Sequence, residues 1–336
     1  MDHAASEKTL LEWLLQRYPD TPKTRAKQWI QAGRVSVGGI VRRKPQDVLP
    51  DPAETLELLG RQAVTLDCKS GWQIHPRVEL IFLDSALAVI NKGPGLISVP
   101  APNCDISALS ILADFLAGKL KVRSHGQKVR SLPPAYRNLQ PLPVHRLDQY
   151  TSGLFCVALN ATSRANLIGQ LRAHTMRREY LAFVEGRPGQ PKGTWRHRLE
   201  LSEDQLRQRV VSTQKRLNAS RTQEAITHFE VITEYPLSHT NSVVTKLRLR
   251  LETGRKHQIR IQAAHEGLTL IGDRTYNPNY HSPHHQQGPL AFPRQALHSE
   301  VLTLEHPERP VQPMSWRAEL PKDLRQLEGA LRSNRI

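Results

Sequence analysis

The fold of this chain is set above all by segments whose residues alternate in character with a period of two. Residues 246–251 alternate strictly between basic and apolar side chains. Residues 178–184 place Tyr180, Ala182 and Val184 on one face and leucine and phenylalanine on the other. Because neighbouring side chains of a strand point to opposite faces, both segments predict strands. The continuous apolar run at 153–159 predicts a strand buried on both faces, so a sheet forms much of the core.

Strands outnumber helices in the rest of the large domain. Further strands are predicted at 79–82, 87–90 and 226–232. Helices are predicted at 109–116 and at 255–265. A third helix is predicted to begin after a cap at Thr162 and to bury Ala165, Leu167, Ile168 and Leu171. Short turns join most neighbours, which predicts an α+β fold with a mixed, largely antiparallel sheet.

The first 60 residues predict a separate helix-helix-hairpin module. Leu10, Leu11, Leu14 and Leu15 are spaced as on one helix face, and Thr21-Pro22 predicts the start of a second helix that ends near Gly33. Residues 34–37 and 41–44 indicate strands that turn at Gly38-Gly39. The basic residues available to phosphates are Lys23, Arg25, Lys27, Arg34, Arg42, Arg43 and Lys44. Solvated charges on a helix face are the alternative.

The domain boundaries follow from these patterns. Residues 1–60 form the module, 61–78 a linker without a sustained period, 79–325 the large domain and 326–336 a tail. Within the large domain, 101–143 is predicted to be an insertion or loop, since a basic, proline-containing segment follows the helix at 109–116.

Charge indicates the class of partner. The chain has 47 Lys and Arg against 31 Asp and Glu, a formal net charge of +16, and only 5% aromatic residues. This favours nucleic acid, bound by charge and a few specific contacts. The 3 cysteines are widely spaced and form neither a disulfide framework nor a zinc site. Since no apolar run approaches about 18 residues and no leader pattern opens the chain, we expect a cytoplasmic protein without a membrane segment.

A polar loop at 144–153 leads directly into the buried strand, a place where a rigid sheet presents reactive groups. Asp148 is the candidate nucleophile or general base, with His145 and Arg146 beside it. An Asp/Thr/Ser turn that caps the strand explains the same residues equally well.

Four cationic or titratable side chains crowd the segment 254–260: Arg255, Lys256, His257 and Arg260. On a helix, Lys256, His257 and Arg260 share a face. Because like charges repel, a solvated surface explains them poorly. Either this face meets phosphates, or Arg260 has a buried carboxylate partner.

Two other features favour ordinary structural roles. Tyr180 on one face of a strand is most often a core or interface residue. His281, His284 and His285 resemble metal ligands, but Ser-Pro interrupts them and no carboxylate or thiolate lies nearby in sequence. A metal-dependent RNA hydrolase needs clustered carboxylates, and the motif segments offer only Asp148 and Asp273.

The motifs resemble those of the RluA-type pseudouridine synthases. The matching segments are 145–148 with 151–153, 178–186, 253–260, 272–273 and 293–298. Their order and spacing agree with the family over about 79–321. The N-terminal module resembles the alpha-L RNA-binding domain, of the ribosomal small-subunit protein four type, that precedes many of these enzymes.

The resemblance implies an isomerase that breaks the bond between ribose and N1 of uracil, turns the base and rejoins it through C5. Asp148 then acts on the ribose as an ionised carboxylate, either as a nucleophile at C1′ or as a base at C2′. Arg260 pairs with Asp148, and Tyr180 packs against the uracil. Such an isomerisation requires no cofactor and no metal.

The resemblance also implies the partner, with ribosomal RNA expected first and transfer RNA second. Arg146 is implied to fill the place of the extracted base. The residues expected to contact RNA are His145, Arg146, Arg255, Lys256 and His257, with Arg25, Lys27 and Arg34 in the module. We expect a monomer, since no apolar stripe is left unexplained. The alternative is a non-catalytic RNA-binding or ribosome-assembly factor on the same scaffold.

The chain departs from the family pattern at several positions. Residues 92–95 read Lys-Gly-Pro-Gly where Lys-Pro-x-Gly is common, and Arg178 replaces a lysine. Tyr150 stands where an acidic residue is common, and Gln262 where a histidine is common. None of these positions is Asp148, Tyr180 or Arg260, so the departures bear on substrate choice more than on activity.

Overall fold

The computed structural model describes residues 8–31, 34–38, 40–50, 55–58, 66–102, 104–120, 132, 136–137, 139–202, 207–211, 222–237, 242–282, 288–309 and 313–333. Contacts divide the chain into two compact units, Met1–Val64 and Thr65–Ile336.

The first unit has two helices and short strands. Its elements are β1 (Lys8–Thr9), α1 (Leu10–Arg17), α2 (Lys23–Gln31), β2 (Val35–Val37), β3 (Ile40–Arg42), β4 (Val48–Leu49) and β5 (Leu56–Leu58). Thr9 and Glu12 form a capping box that begins α1, and leucines of α1 pack with Ala26 and Ile30 of α2. The predicted helices and hairpin are confirmed, with β5 as a third strand beside β2. Gly33 and Gly39 lie outside the described residues.

The second unit is built on one large sheet. Its elements are β6 (Leu66–His75), β7 (Val78–Leu83), β8 (Leu87–Lys92), α3 (Ala108–Leu116), β9 (Leu142–Pro143), β10 (Ser152–Ala158), α4 (Ala161–Arg172), β11 (Arg177–Glu185), β12 (Lys192–Leu201), β13 (Gln208–Val210), β14 (Thr222–Pro236), β15 (Val243–Leu251), α5 (Gln258–His265), β16 (Leu297–Glu305), β17 (Pro313–Arg317) and α6 (Lys322–Ser333). The strand order is β13-β12-β14-β15-β11-β16-β10-β8-β7-β6, with β17 beside β16 and β9 beside β10.

The sheet is antiparallel except where β10 meets β16, which confirms the predicted α+β fold. At this parallel junction Gly153 has φ 114°, and a Cβ there would lie 2.2 Å from the Ser299 carbonyl oxygen. Only glycine allows the two strands to approach so closely.

The alternation of the central strands decides which helices cover the sheet. Tyr180, Ala182 and Val184 of β11 pack in a cluster with residues of α3 and α5, whereas Phe183 packs with leucines of α6. All residues of β10 are buried, as the apolar run predicts. No helix among the described residues has the length and apolar character needed to cross a membrane.

The predicted linker at 61–78 is wrong for Leu66–His75, which is strand β6 paired with β7. The register shifts between Asp67 and Trp72, and Gly71 between them has φ 60°. This irregularity breaks the period-two pattern that would have indicated a strand.

The predicted tail at 326–336 is also wrong for its described part. Residues 322–333 form helix α6, whose Leu324, Leu327 and Leu331 are buried against the sheet. Within the predicted insertion at 101–143, α3 belongs to the main core because its apolar face is buried there. The basic residues Lys121, Arg123, Lys128 and Arg130 lie outside the described residues.

Two helices differ from their predictions. Asn160, not Thr162, caps α4 by accepting the backbone N–H of Ser163, and Ala165 is exposed. Helix α5 begins at Gln258, so Lys256 and His257 precede it and do not share a helical face with Arg260. His257, the residue immediately before α5, has φ 55°, a left-handed conformation that keeps it out of the helix.

The basic face predicted for 246–251 is partly neutralised. Lys246 donates to both carboxylate oxygens of the buried Glu328, and Arg248 lies 3.6 Å from a carboxylate oxygen of Glu230. These two cations are therefore engaged within the protein, while Arg250 is exposed.

Candidate active site

Two cavities meet at the loop that carries Asp148. The first, of about 490 Å³, is lined by this loop, by β11 with Arg178 and Tyr180, and by residues 253–260. The second, of about 430 Å³, lies against 97–101, 146–150 and 272–275. Arg146, Asp148 and Arg260 line both cavities.

Among the described residues that line the two cavities, Asp148 is the one carboxylate. It contacts the buried cation Arg260. The Asp148 side chain is 18% exposed, and Nη1 of Arg260 donates to its Oδ2 at 3.2 Å. Nε2 of His257 lies 4.0 Å from the other carboxylate oxygen. The pairing that the resemblance implies between Arg260 and Asp148 is thus present in the structure.

Arg260 itself is fixed by a second carboxylate. Its Nε and Nη2 donate to the two oxygens of Asp273 at 2.7 and 2.8 Å, and the Asp273 side chain is 1% exposed. Burial by itself lowers the pKa of Arg260, but the hydrogen bonds and charge of Asp273, with the charge of Asp148, raise it above its ordinary value. Arg260 is therefore a permanent cation aimed at Asp148.

Sequence analysis gave Asp273 no role, although Gly272-Asp273 is one of the family segments. The structure shows that Asp273 also accepts the backbone N–H groups of Thr275 and Tyr276, which orients its carboxylate. Gly272 has φ 73°, and a Cβ there would lie 2.1 Å from the carbonyl oxygen of Arg294. This glycine–aspartate pair is the local signal that marks the position.

The main chain around Asp148 is held by buried donors. The Lys92 ammonium donates to the carbonyls of Gln149, Leu96 and Gly93 at 3.1, 2.9 and 3.1 Å. Nη1 of Arg294 donates to the Tyr150 carbonyl at 3.0 Å, and the Ser98 hydroxyl donates to the Leu147 carbonyl at 2.8 Å. The loop is preorganised by its backbone.

Lys92 is fully buried, and burial lowers its pKa to about 7 against the opposing charge of Asp148. Unfolded lysine keeps its proton up to about pH 10.4. The unfolded chain therefore binds more protons than the folded chain between these values, so Lys92 makes the free energy of unfolding rise with pH in this interval. Below about pH 7 both states are protonated and the burial penalty is constant.

We expect the Lys92→Met variant to lack this rise in stability between pH 7 and 9.5. It should also have a lower kcat with little change in KM, because the Gln149 carbonyl beside Asp148 loses its donor, as do the carbonyls of Gly93 and Leu96. Urea unfolding at the two pH values and steady-state kinetics measure both effects. An equal rise in stability in variant and wild type would show that Lys92 is not the titrating group.

Tyr180 lies on β11 and forms part of the wall of the first cavity. It is 5% exposed, and burial raises the pKa of its hydroxyl. The hydroxyl is therefore protonated at neutral pH. Arg178, two residues earlier, packs against Gly254, where a Cβ would lie 2.6 Å from Nη1 of Arg178.

The other predicted residues have varied surroundings. Arg146 is exposed beside Asp148, and Lys256 lines both cavities. His145 accepts the backbone N–H of Cys156 through Nε2, and burial lowers its pKa to about 3. Nε of Arg255 donates to the Glu224 carbonyl, and burial lowers the pKa of His257.

Three predicted residues belong to the first unit. Arg25 and Lys27 are exposed, and the guanidinium carbons of Arg25 and Arg34 lie 5.9 and 5.3 Å from the Trp29 ring centre. Within the described residues, no group of three or more His, Cys, Asp or Glu side chains is placed to hold a metal ion. His284 and His285 lie outside the described residues.

Comparisons with known proteins identify the family. A family model described as RNA pseudouridylate synthase matches residues 86–265. The chain is 31% identical over 341 residues to Ribosomal large subunit pseudouridine synthase D of Yersinia pestis, with 96% of this chain and 90% of that protein covered. It is 32% identical to the protein of the same name from Zymomonas mobilis, with 91% and 88% covered.

A solved structure agrees in fold. Human RNA Pseudouridylate Synthase Domain Containing 4 superposes with a TM-score of 0.52 at 21% identity, covering 74% of this chain and 91% of that chain. This likeness concerns the sheet and its helices. With a family model over more than half of the chain, and relatives aligned along almost all of it, the chain belongs to the RNA pseudouridylate synthase family, in its RluA-type branch.

Proposed function

We propose that this chain converts specific uridines of large-subunit ribosomal RNA to pseudouridine, with Asp148 as the essential group. The observation that carries the proposal is the 3.2 Å hydrogen bond from Nη1 of Arg260 to Asp148, in which Arg260 is held in place by its two hydrogen bonds to Asp273. The names of the relatives, ribosomal large subunit pseudouridine synthases, support ribosomal RNA as the substrate. Transfer RNA is the second candidate.

The reaction is an isomerisation, so the composition of the nucleotide is unchanged although the hydrogen on C5 exchanges with solvent. The bond from C1′ to N1 breaks, the uracil turns, a bond from C1′ to C5 forms, C5 loses its proton and N1 gains one. Asp148 acts on the ribose, either by attacking C1′ or by removing the C2′ proton. Arg260 supplies a fixed charged donor at the carboxylate, which requires no reorganisation during the reaction.

The walls of the first cavity hold the base while it turns. The Tyr180 ring packs against the uracil, and its protonated hydroxyl is a hydrogen-bond donor. The uridine must leave its stack to reach Asp148, which costs about a few kcal/mol. Arg146 is exposed next to the cavity, and its planar guanidinium suits the vacated place in the RNA.

Pseudouridine mapping of ribosomal RNA tests this function. Cells that lack the protein should lose pseudouridine at defined large-subunit positions, and the wild-type gene should restore it. If no position changes while the missing protein still impairs ribosome assembly, the chain is an RNA-binding assembly factor instead. In the proposal the protein acts in the cytoplasm as a monomer.

The first unit is proposed to be the alpha-L type RNA-binding domain, supported by its helix-helix-hairpin order and its exposed basic residues. Removing residues 1–64 should weaken RNA binding and flatten its dependence on salt, because each lost phosphate contact reduces the logarithmic slope by about 0.7 to 0.9. The rate at saturating RNA should be largely kept.

A charge variant separates this effect from loss of a folded unit. Combined replacement of Arg25, Lys27 and Arg34 by Gln should reduce the slope in the same direction. Replacing Arg187, Arg196 and Arg209 by Gln is the matched control, since all three arginines are paired with glutamates on the second unit. An unchanged slope in the triple variant would argue against an RNA contact there.

A further inference from the structure

The second cavity lies against the Asp148 loop, and Tyr180 lines the first cavity but not this one. Its wall includes Tyr150, Arg146, Lys256 and Arg274. Arg146 and Lys256 also line the first cavity. An RNA strand that places one nucleotide at Asp148 therefore has a second space of nucleotide size directly beside it.

Tyr150 is an aromatic residue that the fold leaves open. Tyr150 is 43% exposed, and within the described part of the chain its ring packs on no other aromatic ring and under no cation. Its backbone, in contrast, is fixed, because the buried guanidinium of Arg294 donates to its carbonyl at 3.0 Å. Packing against the core does not explain an aromatic residue here, since Tyr150 is exposed and lines the cavity.

The neighbourhood of this ring is cationic. Gly95 has φ 81°, and a Cβ there would lie 3.2 Å from Nη1 of Arg77 and 4.0 Å from the edge of the Tyr150 ring. The glycine thus leaves room for a guanidinium and an aromatic edge side by side. Arg146, Lys256 and Arg274 add positive charge along the cavity. An open aromatic face among cations is the combination that binds single-stranded nucleic acid.

We propose that the second cavity binds the nucleotide next to the target uridine, with its base stacked on Tyr150 and its phosphate between Lys256 and Arg274. This inference rests on the proposed function. Stacking tolerates any base but requires that the base be unpaired. The site therefore selects uridines that have an unpaired neighbour, and the larger ring system of a purine stacks better than a pyrimidine.

The test uses synthetic hairpins of large-subunit ribosomal RNA with a uridine in the loop, carrying 2-aminopurine or an abasic unit beside it. The wild type and Tyr150→Phe should quench 2-aminopurine fluorescence on binding, whereas Tyr150→Ala should not. Tyr150→Ala should bind the 2-aminopurine hairpin roughly tenfold more weakly, and the abasic hairpin as tightly as the wild type does.

Other outcomes overturn the inference. Equal quenching by the Tyr150→Ala variant would place the neighbouring base elsewhere. An equal loss of affinity for both hairpins would show that Tyr150 acts on the fold of the loop rather than on a base. Pseudouridine formation in the same hairpins is measured separately. If the wild-type protein converts no uridine, that result contradicts the proposed function and not the stacking site.

Discussion

We expect the Asp148→Asn variant to bind RNA within about twofold of the wild type and to form no pseudouridine. Asn keeps the shape of the side chain, and its carbonyl oxygen still accepts the N–H of Arg260. It lacks the negative charge needed either to attack C1′ or to take the C2′ proton. Removal of such a group leaves only the smaller contributions of binding and positioning.

The measurement is tritium release from RNA labelled at C5 of uridine, together with the dissociation constant at one salt concentration. The matched control is Asp114→Asn, an exposed aspartate of α3 paired with Lys119, which should leave both values unchanged. Tritium release by Asp148→Asn above the blank would refute the assignment of the essential group. Circular dichroism of the variant checks that the fold is retained.

The second large effect concerns the partner of Asp148. Replacing Arg260 by Met should lower the free energy of unfolding by about 3–5 kcal/mol, because Asp273 is then left buried without its cation. Activity should fall with stability, since Asp148 loses its charged donor. Asp273→Asn should also slow the reaction, although Asp273 does not touch Asp148 directly, because the guanidinium loses its bidentate anchor.

Urea unfolding of Arg260→Met, Asp273→Asn and the double variant forms a double-mutant cycle. The two losses should be strongly non-additive, because the double variant removes both members of the buried Arg260–Asp273 pair and leaves neither of them unpaired. Arg187→Met is the control, since Arg187 forms an exposed ion pair with Glu234 that contributes no more than about 1 kcal/mol. A loss for Arg260→Met no larger than that of Arg187→Met would mean that the arginine is not structurally coupled to Asp273.

The sheet was predictable where the side chains alternate cleanly. The pattern of apolar residues predicts strands at 178–184 and 153–159, and both strands are confirmed as β11 and β10. Strand β6 was missed because its irregularity at Gly71 disrupts the pattern. Helix α6 was missed because the boundary predicted at 325/326 cuts through it and separates Leu324 from Leu327 and Leu331.

The candidate site depended on another kind of information. The family motifs predicted the pairing of Asp148 with Arg260, although 112 positions separate the two residues in the chain. Local pattern could not show that Lys92 holds the carbonyl of Gln149, 57 positions away, since the sequence at 92–95 indicates only a turn. Long-range hydrogen bonds leave no periodic trace, so Lys92, Arg294 and Asp273 acquired their roles only from the structure.

The loop around Asp148 separates two demands that selection makes on an enzyme. The loop is held by hydrogen bonds from Lys92, Arg294 and Ser98 to backbone carbonyl groups, which every residue possesses. Side chains at 149 and 150 can therefore be exchanged over generations without shifting the reactive carboxylate between them and Leu147. A lineage can redirect the enzyme towards a new RNA by altering these exposed positions while its chemistry is inherited intact.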